Sequence, residues 1–442
     1  MNKESVLNIG FDDTDSPTGM CTTFLAYKIV DLLQKQKTEF LDFPKLIRFN
    51  PNIPWKTRGN GAVSLKIKTK NPSKIKNQIK NLVSKYSDTK NGANPGLVFF
   101  ESNSIPSEFT KFSHLALWQL INRNNAKKFA KKNKLDFFYE GNGQGLVGAI
   151  SAIGYDFHDH TLELLSYRKK RKFGKERKIS VDSVKKMQEK TFPYTFNSFD
   201  TKKGRVLITP HGPDPVFYGV RGENVDSLVN ATKILKSNEK LDGYMIFKSN
   251  QGTGDHLKNE LNFETMKPYA SGTLNGIVSS IPKIVKGGHV FFTIISKNHE
   301  FWCAVYKETG ISTIASNLII GDTISIGGGV RKASKNFPRI INLEFIEILN
   351  LKKNLSQSNP LCKKCNKKMK SKGQNQGFQC VICGKKNPKK TIVEIPRQLK
   401  KQLYIPKISA HRHLTRPLQR TGLINKASKF DKTLSWFCVY RT

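Results

Sequence analysis

The chain has 442 residues, enough for about three or four domains of ordinary size. It carries 75 Lys and Arg against 34 Asp and Glu, a formal net charge of +41, and so much positive charge calls for an anionic partner. Hydrophobic residues at 37% and aromatic residues at 10% exclude wholesale disorder, and no apolar run approaches the ~18–20 residues of a membrane span.

The first residues, MNKESVLNIGFDD, place carboxylates where a secretory leader carries its apolar stretch, so a cytoplasmic chain is expected. SVLNIGF reads as a short strand and DDTDSPTG as turn chemistry. TTFLAYKIVDLLQKQ has helical spacing through Leu25, Ile29, Leu32 and Leu33. Strand-like LIRFN, the loop PNIPWKTRGNG, the strand AVSLKIKT and a Lys-rich helix over 73–86 come next. HLALWQLINRNNAKKFAKKN is expected to be one helix, apolar at its start and basic at its end. GNGQG reads as a helix-opening turn in a further α/β stretch. Arg168 to Lys178 then packs eight basic residues into eleven, which suits either a mobile loop or an RNA contact. RVLITPHGPDP is a strand running into a turn, followed by a helix over 225–235 and a strand over 244–248.

From about Met266 the texture changes. HVFFTIISK, EFWCAVYKE, DTISIGGGVR and INLEFIEIL are short strands divided by Gly, Asn and Asp turns. In the last, Ile341, Leu343 and Phe345 share one face and Asn342 and Glu344 the other. This fits a small barrel of the OB type, or another small barrel or sandwich. Cys362, Cys365, Cys380 and Cys383 follow as CxxC, fourteen residues, CxxC, the spacing of two knuckles that close on one structural Zn2+. Four thiolates leave no open position for catalysis, and a segment with so few apolar residues needs the metal to fold. Cys21, Cys303 and Cys438 stand alone and read as small packed side chains of a reduced chain. Residues 351–442 hold 23 Lys and Arg and 2 Asp and Glu, so half the excess charge lies in the last fifth of the chain. That field points to nucleic acid.

Three segments carry the chemistry. Asp12, Asp13 and Asp15 end a strand just before a helix, and Mg2+ relieves the mutual repulsion of such carboxylates. With a helix opening at Thr22-Thr23 the set suits a Mg-nucleotide, although neither a Walker loop nor a kinase Gly-rich loop occurs. It equally suits a plain turn with Thr22 as N-cap. Lys56, Arg58, Gly59 and Asn60 put two cations before a flexible turn, an arrangement for phosphate oxygens. His211, Asp214, Arg221 and Glu223 lie on or just after a Pro/Gly-stiffened turn, fit for a ligand pocket or for internal hydrogen bonding.

In this order, NIGFDDTDSPTGMCTT, RFNPNIPWKTRGNGAV, ANPGLVF, PHGPDPVFYGVRGE and the four-cysteine ribbon resemble the archaeal isoleucine-tRNA 2-agmatinylcytidine synthetase family over residues 8–420. The resemblance implies a multidomain α/β plus all-β protein. Its parts would be a kinase-like α/β catalytic domain (1–138), a ferredoxin-like α/β region (139–265), an OB-fold (266–350), a C4 zinc ribbon (351–395) and a basic C-terminal segment (396–442). It also implies a ligase that consumes ATP to AMP and joins agmatine to the wobble cytidine of the isoleucine tRNA with a CAU anticodon, which then decodes AUA. ATP, Mg2+ and structural Zn2+ would be its cofactors, and tRNA and agmatine its partners, with no membrane.

Carried over by position, the resemblance makes Asp12, Asp13 and Asp15 metal and ATP ligands, with Asp12 and Asp13 on Mg2+, and Thr22 the phosphorylated threonine. Lys56, Arg58, Gly59 and Asn60 would meet nucleotide phosphates or the target base, and His211, Asp214 and Glu223 the agmatine side. Two departures stand out. QGTGDHL puts its acidic residue at Asp255, where the family usually has QGTDAHL, and the Arg168–Lys178 run is unusually basic. Competing readings are a non-catalytic OB and zinc-ribbon nucleic-acid-binding protein, and an RNA modifier that uses another amine. On this reading, removal of 351–442 is expected to cost tRNA binding before ATP binding.

Overall fold

Leu7, Ile9 and Phe11 alternate along β1 (Ser5–Asp12) and are fully buried, which seats that strand inside a sheet. The computed structural model describes residues 4–335, 337–426 and 430–440. It divides into two units, one of Met1–Thr273, Gly327–Glu344 and Ile405–Thr442, the other of Leu274–Ile326 and Phe345–Tyr404.

In the first unit, β1 is followed by α1 (Thr22–Lys35), β2 (Glu39–Phe40), β3 (Lys45–Arg48), β4 (Gly61–Thr69), α2 (Pro72–Tyr86) and β5 (Gly96–Glu101). Then come α3 (Ser107–Trp118), α4 (Arg123–Lys132), β6 (Asp136–Tyr139) and α5 (Gly145–Gly154). The second stretch holds β7 (Thr161–Arg168), α6 (Val181–Thr191), β8 (Thr195–Phe196), β9 (Phe199–Asp200), β10 (Arg205–Val206), β11 (Val216–Gly222), α7 (Val225–Ile234) and β12 (Leu241–Ser249).

Of these strands, β6-β5-β1-β4-β3-β12-β7-β11-β8 make one sheet in that order, β2 pairs with β4, and β9 and β10 pair separately. The half β12-β7-β11-β8, with α6 and α7 as connections, has the strand order of a ferredoxin-like plait. The halves meet where β3 and β12 run parallel, through only Lys45–Lys248 and Leu46–Ser249. Phe437–Val439 pairs antiparallel with Gly243–Met245, the stretch of β12 that β3 leaves open. Trp436 beside it is buried among Phe40, Phe43 and Phe430. The end of the chain is therefore part of the first unit's core, and removal of 351–442 would open the central sheet as well as strip basic charge.

Two local expectations change. The single helix expected from His114 onward is two, α3 and α4. Asn122 breaks it, because its side chain accepts from the Asn124 N–H at 2.9 Å and caps α4. α5 is buried almost throughout and packs against β1, β4 and β5. The approach is so close that a Cβ on Gly10 would lie 2.1 Å from the Ala149 carbonyl oxygen.

After residue 266 come β13 (Ser271–Val278), β14 (Lys283–Ile284), β15 (Val290–Ser296), β16 (His299–Val305), β17 (Thr323–Arg331) and β18 (Ile340–Asn350); the last four are the strands expected from sequence, and β13 and β14 are additions. The order β13-β17-β18-β16-β15 closes through the pairs Ile277–Ile295 and Val278–Ile294, giving the five-stranded barrel of the OB type. Glu344, on the polar face of β18, is buried where His256 Nε2 meets it at 3.0 Å and Arg412 at 3.4 Å. Arg397 grips the buried Asp322 with two bonds of 2.5 and 2.7 Å and fixes the chain after the ribbon. No helix among the described residues is long and apolar enough to cross a membrane.

Trp436→Ala should destabilise the first unit by about 3–5 kcal/mol. Its unfolding transition, followed by heating with circular dichroism, should fall well below the parent's; an unchanged transition would show that the last strand is not part of the core.

Candidate active site

The β1 strand delivers Asp12 to the sheet end, and Asp13 turns the chain with φ 57, a left-handed conformation tolerated by Asp. The following loop is tied down by Asp88, whose Oδ2 accepts from Ser16 Oγ at 2.5 Å and Thr18 Oγ1 at 3.1 Å. Cys21, not Thr22, holds the N-cap position of α1, and no side-chain cap bond forms. Thr22 is the first helical residue, buried, with its hydroxyl accepting from Thr14 Oγ1 at 3.1 Å. A simple capping role for Thr22 is thus excluded.

A cavity of about 660 Å³ opens at this sheet end. Asp12, Asp13, Asp15 and Thr22 line it together with Lys56, Arg58, Gly59 and Asn60, and with His211 and Asp214 from the PHGPDP turn. Three segments separated by up to about 200 residues in sequence thus meet at one place. Glu223, expected on the agmatine side, does not line the cavity. Its Oε1 takes the Arg420 Nε at 2.6 Å, in a buried cluster where Arg420 also meets Asp159 at 2.9 Å. Arg48, Glu163, His411 and His413 line the cavity without having been singled out from sequence.

Arg58 joins the segments. Its Nε donates to Asp15 at 3.0 Å, its Nη1 to Asp214 at 3.2 Å, and its Nη2 to the carbonyls of Ser16, Gly19 and Met20 at 2.7–3.3 Å. The other Asp214 oxygen takes the Val216 N–H at 3.0 Å and Arg177 Nη2 at 3.3 Å. Burial pushes the Asp214 carboxyl up, and the guanidiniums of Arg177 and Arg58 oppose that. Both of its oxygens are taken.

Arg177 spends its remaining N–H groups on the carbonyls of Pro210, Gly212, Asp214 and Val216 at 2.7–3.0 Å, so it holds the turn in shape. Arg168 is buried, bonded to Glu239 at 2.7 and 2.8 Å and to the carbonyls of Lys175 and Glu176. The basic run is therefore a braced loop, anchored by its two inward arginines, with Lys170, Arg171, Lys175 and Lys178 exposed.

Asp12 and Asp13 have no such partners. No Lys, Arg or His among the described residues forms an ion pair with either. Burial, then Asp13 and Asp15, push the Asp12 carboxyl well up. Burial, then Asp15, push Asp13 up to about 7. Uncompensated, partly desolvated carboxylates of this kind fit Mg2+, which takes one or two carboxylates and completes its octahedron with water and phosphate oxygens.

The ribbon cysteines do form a closed set, with all four Sγ atoms within 4.8 Å of one another. The two knuckles repeat one geometry. Cys362 N donates to Lys367 O and Asn366 N to Cys362 O at 2.9 and 2.8 Å, while Cys380 N donates to Lys385 O and Gly384 N to Cys380 O at 2.9 and 3.0 Å. Asn366 and Gly384 take the left-handed backbone that this turn needs, at φ 48 and 70. Besides the cysteines only Met369 and Phe378 form the ribbon's core, so Zn2+ fits as the element that holds it. Asp255, the displaced acidic residue, accepts from the Tyr155 hydroxyl and pairs with Lys258 at 2.6 Å, which is a packing role.

Cavity, barrel and ribbon define a multidomain protein that couples an acidic, nucleotide-sized site to modules of the nucleic-acid-binding kind. Family models match in three places: the TiaS TCKD domain at residues 8–71, the TiaS FLD domain at 143–256 and the TiaS C-terminal zinc ribbon domain at 359–399. The isoleucine-tRNA 2-agmatinylcytidine synthetase TiaS of Cenarchaeum symbiosum (strain A) is 45% identical over 434 residues, 98% of this chain and 97% of its own. The crystal structure of TiaS in complex with its isoleucine tRNA and ATP is similar with a TM-score of 0.85 at 32% identity, covering 96% of this chain and 100% of that one. The complex of TiaS with the same tRNA, AMPCPP and agmatine gives 0.82 at 30% identity, with the same coverage. The chain belongs to the TiaS family.

A strong chelator should release about one zinc per chain and open residues 359–399 to protease while the first unit stays resistant. Metal analysis with limited proteolysis checks this; a ribbon that stays protected without metal would refute the tetrad's role.

Proposed function

We infer that this chain is an ATP-dependent tRNA–agmatine ligase that forms 2-agmatinylcytidine at the wobble cytidine of the isoleucine tRNA with a CAU anticodon, releasing AMP. The observation that carries this reading is the single cavity in which the uncompensated Asp12 and Asp13 face the PHGPDP turn, bridged by Arg58. Similar proteins crystallised with the isoleucine tRNA, ATP or AMPCPP, and agmatine support the three substrates.

The 2-oxygen of cytidine is a poor leaving group. Phosphoryl or adenylyl activation converts it to a good one; the primary amine of agmatine, once deprotonated, then attacks carbon 2 and the C2–oxygen bond breaks, the oxygen leaving with the phosphate or AMP it carries. Mg2+, held by Asp12 and Asp13, would neutralise the phosphates when bound. Arg58 fixes Asp15 and the loop carbonyls beside it, so the carboxylates keep their spacing. Thr22, at the start of α1, lines the same cavity and would be the phosphoryl acceptor. Lys56, Gly59 and Asn60 form the loop that meets phosphates or the base. His211 and the turn held by Asp214 form the wall on the agmatine side, and agmatine, a dication, is drawn to the acidic end. The target base leaves its stack to enter. The functional parts follow the divisions near residues 138, 265, 350 and 395, in a cytoplasmic enzyme. A non-catalytic binder has no use for a half-buried Asp12–Asp13 set without ion pairs.

The test uses full-length protein, a tRNA transcript with a CAU anticodon, labelled agmatine, ATP and Mg2+. Label should enter the cytidine transcript and not one with a wobble uridine, AMP should appear, and Asp12→Ala should lose at least about a hundredfold in rate. ATP consumption without label would favour another amine, and tRNA binding without ATP turnover a binding protein. Asp214→Asn should raise the KM of both ATP and agmatine, because it frees Arg58 and Arg177 together. A change in agmatine KM alone would instead make Asp214 a direct agmatine contact.

A further inference from the structure

The arginines near the cavity divide by what their N–H groups meet. Arg58 and Arg177 each make five hydrogen bonds within the protein, at 2.7–3.3 Å. Arg48, at the end of β3, and Arg221, on β11, do not. They share one carboxylate, Glu163, at 3.4 and 3.7 Å, well beyond the ~2.7–2.9 Å of a charge-assisted bond. The Nε of each is buried with no hydrogen-bond partner among the described residues. Glu163 is also claimed by Gln251 Nε2.

His413 adds no charge to this group. Its Nδ1 sits 3.4 Å from Arg221 Nη2 and 3.1 Å from Gln251 Oε1, and burial with the two guanidiniums pushes its imidazole well below the usual range. Two positive charges thus face one negative charge at a cavity wall. The Gly59–Gly61 backbone packs directly on this wall. A Cβ on Gly59 would lie 2.6 Å from Arg48 Nη1 and 2.7 Å from His413 Nε2, and a Cβ on Gly61 2.8 Å from the same Nη1.

Buried guanidinium N–H groups without acceptors are costly, and the missing acceptor is an oxyanion. We propose that Arg48 and Arg221, on the cavity wall beside the Gly59–Gly61 loop, form a phosphoryl-oxygen subsite that receives a phosphate of ATP or of the tRNA backbone. Agmatine, a dication, is repelled from it. The subsite lies on the same cavity as Asp12, whose carboxylate feels the Arg48 charge. The proposal rests on the reading that ATP and tRNA meet in this cavity.

The test compares Arg221→Gln and Gly59→Ala with the parent, as full-length proteins with intact unfolding transitions. Three quantities are measured: AMPCPP affinity without tRNA, tRNA affinity against KCl concentration, and the single-turnover rate. An RNA source predicts about tenfold weaker tRNA binding and a salt slope shallower by about one phosphate contact. An ATP source predicts about tenfold weaker AMPCPP binding or slower single turnover with tRNA affinity kept. Should Arg221→Gln not fold, Gly59→Ala, a loop change whose methyl group displaces the Arg48 guanidinium and His413, decides alone. All three quantities within about twofold of the parent, or a change in agmatine KM only, overturns the subsite. An inactive parent would instead fail the reading of the cavity.

Discussion

A single guanidinium, that of Arg58, holds two carboxylates from opposite halves of one sheet. The halves touch as β-ladder only at two residue pairs between β3 and β12, and so short a contact does not fix what happens at the cavity end. Arg58 does, because its planar fork reaches Asp15, Asp214 and three loop carbonyls at once. Lysine keeps the charge but not the five donors in fixed directions. Behind Asp214 the bracing continues through Arg177 and the loop that Arg168 anchors to Glu239, so the turn is shaped from both sides.

Charge is sorted by depth. The chain as a whole is strongly positive, which draws a polyanion to its surface. Inside the cavity the pattern reverses at Asp12 and Asp13 and reverses again at Arg48 and Arg221. An acidic end without ion pairs suits a metal ion and a cationic amine, and a basic wall with two guanidiniums on one carboxylate suits phosphate. One cavity with both keeps the reactants apart in kind while bringing them together in space.

Much of the site was legible because it is written in contiguous motifs. The aspartates, the Lys-Thr-Arg-Gly-Asn loop, the PHGPDP turn and the paired CxxC knuckles each combine turn residues with reactive ones. What escaped is the set of single residues that only long-range pairing assembles. Arg48 and Glu163 sit in unremarkable strands, and His413 lies in a stretch that reads as basic tail. Arg168 and Arg177 were hidden in a charge run whose composition points outward, although both side chains turn in. Glu223 failed for the opposite reason: it is close in sequence to the turn, but β11 carries it away, and Arg420 claims it. Asn122 shows the same limit at the level of a helix, where one capping side chain outweighed a continuous helical pattern.

The strand Phe437–Val439 decides what a truncation costs. Phe437–Val439 fills an open stretch of β12, and His413 forms part of the cavity wall. A chain without these two segments keeps an unfilled strand edge and an incomplete wall. A chain that stops short of Phe437 carries an intact barrel and ribbon joined to an unfinished catalytic half. Such a product retains a positive surface for RNA without the means to modify it, and would serve as a competitor of the full-length enzyme.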